Sequence, residues 1–337
     1  MAAVVVVVAG AGTGIGLAVS DGSVPSSDGR RAAPTVPASS IPSASTPTSA
    51  APVTTSTGTT STGSASTGGP PHVLLVMMEN HGYDQIVGSP TAPYLTQLVA
   101  RYGLATASYA WTHPSLPNYL DIISGSTQGI STDCSSCSAD GTQLVDQLQA
   151  KGIGWQAFIE SMPNPCFTGT GSSPYDKNHN PFAYAPHLVH DAAECSRVVP
   201  YARLGPELAA GTAPPFLWVT PNTAHDMHTG TVRQGDTWLS QQVRAVMHSS
   251  WYRGGGTIVI TFDEGVTNAG CCGGAGGGHI ATVVVSAATP HGARMSRPID
   301  HAGVLRTVEE LYGLPFLGAA AKASSGTLLP LVGRAPG

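Results

Sequence analysis

The stretch that most restricts what this chain can become is Gly254 to Gly265, where Thr257-Ile258-Val259-Ile260-Thr261-Phe262 stands between glycines and closes on Asp263-Glu264. A short run dense in β-branched and aromatic residues reads as a buried strand. Two adjacent carboxylates at its end repel each other and lose hydration, so the position calls for a cation. No Lys or Arg lies between Arg253 and Arg294, which favours a metal ion over a side chain. Taken alone, the pair also fits the solvated start of a loop. A second run has the same design: Val73 to Met78 is uniformly apolar and ends abruptly on Glu79-Asn80. Runs this short and apolar are what central strands of a parallel sheet covered on both faces require. In open α/β sheets, ligands collect at the carboxyl ends of strands.

The remaining pattern agrees with that class. Strands are expected at Ile153 to Glu160, Phe216 to Asn222 and Ile280 to Ser286, the last directly preceded by His279. Helical spacing is expected over Thr91 to Tyr102, Gly141 to Lys151, Trp238 to Met247 and Ala302 to Tyr312, with Gly103 as a stop. Alternation of strands with helices predicts an α/β fold with a largely parallel sheet. His113-Pro114-Ser115-Leu116-Pro117-Asn118 reads as a proline-framed turn carrying a hydroxyl, with a helix beginning near Tyr119. A hydroxyl and free amides at a helix N-terminus suit a phosphate, although Ser beside Pro also marks an ordinary turn. Ser161 to Tyr201, rich in Pro, Asn and His, reads as a long ordered insertion pinned by Cys166 and Cys195.

Only 10% of the 337 residues are charged, and the formal net charge is -5, which excludes a nucleic-acid binder. Residues 2–19 are apolar and uncharged, and no Lys or Arg precedes Arg30. We read residues 1–21 as a signal peptide or N-terminal anchor, which makes the protein secreted or attached to the cell surface. Val8 to Gly16 also resembles a dinucleotide-binding glycine turn, but that fingerprint needs a helix and a second strand after it. Residues 22–71 are instead Ser/Thr/Pro-rich and lack the apolar residues for a core, so they read as a linker before a catalytic domain over 72–332. An even set of six cysteines in an exported chain favours disulfides. Cys134 with Cys137 and Cys166 with Cys195 are the local pairings; Cys271-Cys272 could form a vicinal bridge or pair elsewhere. A zinc site of Cys134, Cys137, Cys271 and Cys272 is the reading for a reducing compartment.

A parallel sheet would bring Glu79-Asn80, Asp226 with His228, and Asp263-Glu264 to one edge. Carboxylates, an amide and imidazoles suit a divalent ion, Mg²⁺, Ca²⁺, Mn²⁺ or Zn²⁺, and a serine beside such an ion can become a nucleophile. Met77 to Asp84, His113 to Tyr119, Asn178 to Phe182, Thr220-Pro221-Asn222 with Asp226-Met227-His228, Thr261 to Gly265, and His301 with Leu305-Arg306-Thr307 together resemble the bacterial phosphoesterase family. That family contains secreted acid phosphatases and phospholipases C, within the alkaline-phosphatase-like superfamily. The resemblance runs from about residue 72 to 320. It is nearest to the small acid phosphatases, including phosphatidylinositol 3-phosphate phosphatases.

The resemblance implies Glu79, Asn80, Asp263 and Glu264 as metal ligands and Ser115 as a nucleophile that becomes phosphorylated. Asp226, His228 and His279 are implied as phosphate contacts, a leaving-group acid or ligands of a second metal; we group Asp226 with the ligands and take His228 and His279 as catalytic. His113, Asn118 and His179 would face the substrate. His81, where the family commonly has serine, and His225, where it often has asparagine, bear on substrate preference and metal number. The expected function is a metal-dependent phosphomonoesterase acting on phosphate esters, phospholipid headgroups and phosphoinositides included. A phospholipase C or other phosphodiesterase, and a non-catalytic surface binding protein on the same scaffold, are the alternatives. No Gly-x-Ser-x-Gly elbow of an acyl hydrolase is present.

Overall fold

Val73–Met78 forms strand β1, and its side chains divide between two cores. Val73, Leu75 and Met77 enter one; Leu74, Val76 and Met78 enter the other. Fully burying side chains of this kind contributes about 1.5–3 kcal/mol each, which explains why a run without polar alternation is stable only inside a sheet covered on both faces. The structure, a computed structural model, describes residues 69–333. The expected signal segment (1–21) and nearly all of the expected linker (22–71) therefore lie outside the described residues.

The other strands are β2 (Gly103–Tyr109), β3 (Trp155–Ile159), β4 (Val198–Pro200), β5 (Phe216–Thr220), β6 (Thr257–Phe262), β7 (His279–Ser286), β8 (Arg294–Met295) and β9 (Ile299–Asp300). They form one sheet in the order β4-β3-β5-β1-β6-β7-β2-β8, with β9 beside β2. The pairings are parallel except those of β7, which runs antiparallel to both β6 and β2. The fold is thus α/β with a mostly parallel sheet, as the strand and helix pattern predicts. Because β7 is reversed, its first residue, His279, shares the edge where β1, β5 and β6 end.

Helices Ser115–Ser124 and His301–Tyr312 supply Tyr119, Ile122, Val304 and Val308 to the core that contains Leu75 and Val259. Helices Pro93–Arg101 and Val232–His248 supply Leu95, Leu98, Leu239 and Val243 to the opposite core. The strand parity aims the site. Met78 and Phe262 point into the second core, so the residues that follow them, Glu79 and Asp263, turn toward the Ser115–Ser124 helix.

Cys134–Cys137, Cys166–Cys195 and Cys271–Cys272 are disulfides, and no cysteine is free. The Cys271–Cys272 alternatives resolve to the vicinal bridge, and the four-cysteine zinc site is replaced by two separate disulfides. Among the described residues, no helix is long and apolar enough to cross a membrane.

Candidate active site

The helix expected from Tyr119 begins four residues earlier, on Ser115 itself. Ser115 and Tyr119 are therefore one turn apart and share a face, and that face meets Glu79. Ser115 Oγ donates to Glu79 Oε2 at 3.2 Å, and the Tyr119 hydroxyl donates to Glu79 Oε1 at 2.6 Å. Glu79 is fully buried, and burial pushes its carboxyl pKa up, offset in part by His179. Asn80, in the left-handed region at φ 55°, turns the chain so that its amide donates to Asp263 Oδ1 at 2.9 Å while its Nδ2 donates to Glu79 Oε2 at 2.7 Å. Asn tolerates that backbone region better than most residues do.

Asp226 and His179 complete the buried part. His179 Nδ1 lies 3.1 Å from Asp226 Oδ2, and its Nε2 lies 3.5 Å from Glu79 Oε2. Burial alone would pull the His179 pKa down, but Glu79 and then Asp226 outweigh it and the pKa is raised. It stacks on Tyr119 with ring centroids 5.5 Å apart. His228, whose side chain is 39% exposed, brings Nδ1 to 3.3 Å from Glu79 Oε2 and 3.1 Å from Asn80 Nδ2. Its amide is fixed by Asp226 Oδ1 at 2.7 Å.

Asp263 is fully buried, and burial, then Glu79 and Glu264, raise its pKa. Its Oδ2 has no hydrogen-bond partner. Glu264 turns the other way and meets His113, Nδ1 to Oε2, at 2.5 Å. His113 Nε2 lies 3.0 Å from the Thr267 carbonyl. Both ring nitrogens thus face acceptors, a geometry that only the doubly protonated ring satisfies. Its pKa is raised: the Thr267 carbonyl and Glu264 outweigh a burial effect that acts downward.

Most of the residues expected from the sequence converge: Glu79, Asn80, Ser115, His179, Asp226, His228 and Asp263 form one connected cluster. Four stand differently, the first being Glu264, an expected metal ligand whose carboxylate turns from the cluster to His113. The Asn118 side chain accepts from Thr112 N and donates to the Thr112 and Pro114 carbonyls, so it braces the turn before Ser115. His113 is bound up with Glu264 and Thr267. His279 stacks between Tyr83 and Tyr109 and reaches the Thr106 carbonyl at 3.0 Å, with no hydrogen bond to the cluster. Tyr119 is a site residue the sequence reading passed over; its signal was its i+4 spacing from Ser115, visible only once the helix start is known.

The cluster fits a divalent cation. Glu79, Asp226 and Asp263 crowd together in a buried place, and Asp263 Oδ2 has no hydrogen-bond partner there. Ligand atoms of Glu79, His179 and His228 lie within 4.8 Å of one another. Asn80 Nδ2 and Ser115 Oγ both bond to Glu79 Oε2, so the amide and the hydroxyl border the same place.

A mostly parallel sheet thus gathers buried acids and a serine-headed helix at its carboxyl edge. By fold, the chain is similar to a protein of the alkaline phosphatase superfamily from Vibrio parahaemolyticus, with a TM-score of 0.53, 14% identity, and coverage of 79% of this chain and 69% of that one. The chain belongs to the Phosphoesterase family, whose match spans residues 89–315. It is 30% identical over 256 residues, 75% of its own length and 80% of the relative's, to a phosphatidylinositol-3-phosphatase of Mycobacterium tuberculosis. It is 27% identical over 255 residues, 72% of its length and 55% of the relative's, to an acid phosphatase of Aspergillus fumigatus. The protein is a phosphoric ester hydrolase.

Proposed function

We propose that this chain is an exported, metal-dependent phosphomonoesterase that works through a phosphoserine on Ser115. The observation that carries the reading is the hydrogen bond from Ser115 Oγ to Glu79 Oε2 at the head of a helix, beside the unpartnered carboxylate oxygen of Asp263. Glu79, Asn80 and Asp263, with Asp226 beside them, would hold the ion; Glu264, turned onto His113, would join them only by giving up that contact. A divalent cation there supplies positive charge for the phosphoryl oxygens and lowers the pKa of the serine hydroxyl.

The residues of the chain do the rest. Ser115 loses its proton toward Glu79 as its Oγ forms a bond to phosphorus and the bond from phosphorus to the ester oxygen breaks. His228, the exposed imidazole of the cluster, gives a proton to the departing oxygen. Water then hydrolyses the phosphoserine, restoring Ser115 and releasing inorganic phosphate. His179 stays buried between Glu79 and Asp226 and bridges them. The substrate class extends to phosphoinositides, supported by the similarity to the mycobacterial phosphatidylinositol-3-phosphatase. Export is supported by the apolar residues 2–19 and by three disulfides.

Ser115→Ala should reduce hydrolysis of an aryl phosphate and of phosphatidylinositol 3-phosphate by on the order of a thousandfold or more, with an unchanged circular dichroism spectrum. Acid quenching of wild type during turnover should trap phosphate on the peptide containing Ser115. Near wild-type turnover by the variant, or label on another residue, would sink the proposal.

A further inference from the structure

The helix that begins on Ser115 has no cap of its own. Its N-cap residue is Pro114, which offers no side-chain acceptor, and its third residue, Pro117, has no amide proton. The Leu116 amide would be an orphan donor next to the nucleophile. Asp133 takes it instead: its Oδ1 accepts from Leu116 N at 2.9 Å across 17 residues of chain.

Asp133 is exposed, yet the chain that carries it is anchored. It directly precedes Cys134, and the Cys134–Cys137 disulfide closes the turn that follows. Those two cysteines, with Ile130, Ala139 and Tyr184, pack against Leu116 and Leu120 of the same helix. The carboxylate is therefore delivered from a braced segment. The peptide group it holds joins Ser115 to Leu116, so the bond restrains the ψ angle of Ser115 and with it the backbone from which the hydroxyl projects.

We propose that Asp133 is a positioning residue for Ser115, a helix cap supplied from the disulfide-closed loop that keeps the serine hydroxyl on Glu79. The inference rests on Ser115 being the nucleophile. Capping requires an acceptor, not a charge, since Asn serves as well as Asp at helix starts. A competing role is that the carboxylate occupies the helix amide in place of substrate phosphate. The two roles predict opposite kinetics.

Asp133→Ala and Asp133→Asn are compared with wild type and Ser115→Ala in metal-loaded full-length protein, measuring kcat and KM for an aryl phosphate, inhibition by inorganic phosphate, and melting temperature. Misdirecting the nucleophile should lower kcat of Asp133→Ala roughly ten- to a hundredfold, with KM and phosphate inhibition within about twofold of wild type. Asp133→Asn, which keeps the acceptor, should restore kcat to within about threefold. Should Asp133→Ala not fold, Asp133→Glu, which moves the acceptor outward by one methylene, carries the same expectation. Wild-type kcat in Asp133→Ala, equal losses in Ala and Asn, or tighter phosphate inhibition in both would overturn the role. An inactive Ser115→Ala beside an unimpaired Asp133→Ala overturns the positioning role alone; an active Ser115→Ala overturns the nucleophile assignment and the positioning role together.

Discussion

At the start of the His301–Tyr312 helix, Asp300 gives one carboxylate oxygen to the Gly303 amide at 2.9 Å and leaves the other buried without a partner. The groups that face it are Asp121 from the Ser115–Ser124 helix, Lys322 and Ser325 from the following turns, and the sulfurs of Cys271 and Cys272 within 4.8 Å. Burial raises the Asp300 pKa to about 6, against a partial offset from the Gly303 amide. An acid whose pKa is raised on folding binds more protons in the native state, so its contribution to stability is present below about pH 4 and is lost as pH climbs to about 6. At 1.36 kcal/mol per unit, the loss is at most about 3 kcal/mol. Asp300→Asn keeps the cap and removes the charge. Urea unfolding should find the variant more stable than wild type at pH 7, with the gap closing by pH 4; a gap that is constant with pH would contradict the assignment. Residues of this kind mark the limit of sequence reading. Glu79 and Asp263 were legible because an apolar strand cannot end on an acid without a reason. Asp133 and the Asp121–Asp300 pair owe their roles to contacts between distant segments, and nothing in their local pattern announces them.

Gly235 shows how one element holds the site from behind. It lies in the first turns of the Val232–His248 helix, where a Cβ would sit 2.4 Å from Met227 Cγ and 2.8 Å from the His225 carbonyl oxygen. Those residues belong to the loop that carries Asp226 and His228, with Met227 itself at a positive φ of 84°. In an unobstructed helix interior, Gly→Ala would stabilise by roughly 0.5–1 kcal/mol. Here the overpacking cost of about 1–3 kcal/mol is the larger quantity. Gly235→Ala should therefore lower the melting temperature and, by shifting the Asp226–His228 loop, reduce kcat; a variant more stable than wild type with full activity would show that the contact yields freely. Elements were read unevenly for a similar reason. The strands β1, β5 and β6 declare themselves through dense apolar runs, whereas β2, Gly-Leu-Ala-Thr-Ala-Ser-Tyr, has small residues and opens on a glycine that reads as a helix stop. Its strand character comes from pairing with β7 and β8, a tertiary fact.

Across the whole molecule, the sheet gathers acids from residues as far apart as Glu79 and Asp263 and leaves them buried, so the native state without a cation carries a repulsion that the unfolded chain does not. A ligand that binds only the folded state stabilises it by RT ln(1 + [L]/Kd), about 2.7 kcal/mol at a hundredfold excess over Kd. For a domain of this size each kcal/mol shifts the melting temperature by roughly 2–4 °C. Saturating divalent metal should then raise the melting temperature of chelator-treated protein by about 5–10 °C, with the effective ion in a Mg²⁺, Ca²⁺, Mn²⁺ and Zn²⁺ series giving the largest rise. Asp263→Asn separates the two halves of the argument. The amide can still accept from Asn80 N while one buried charge is gone, so the metal-free variant should melt at or above the metal-free wild type. The metal-induced rise should shrink together with bound metal measured by elemental analysis. A variant that melts lower without metal would mean the carboxylate serves the fold itself, and one that keeps the full metal response would remove Asp263 from the binding set.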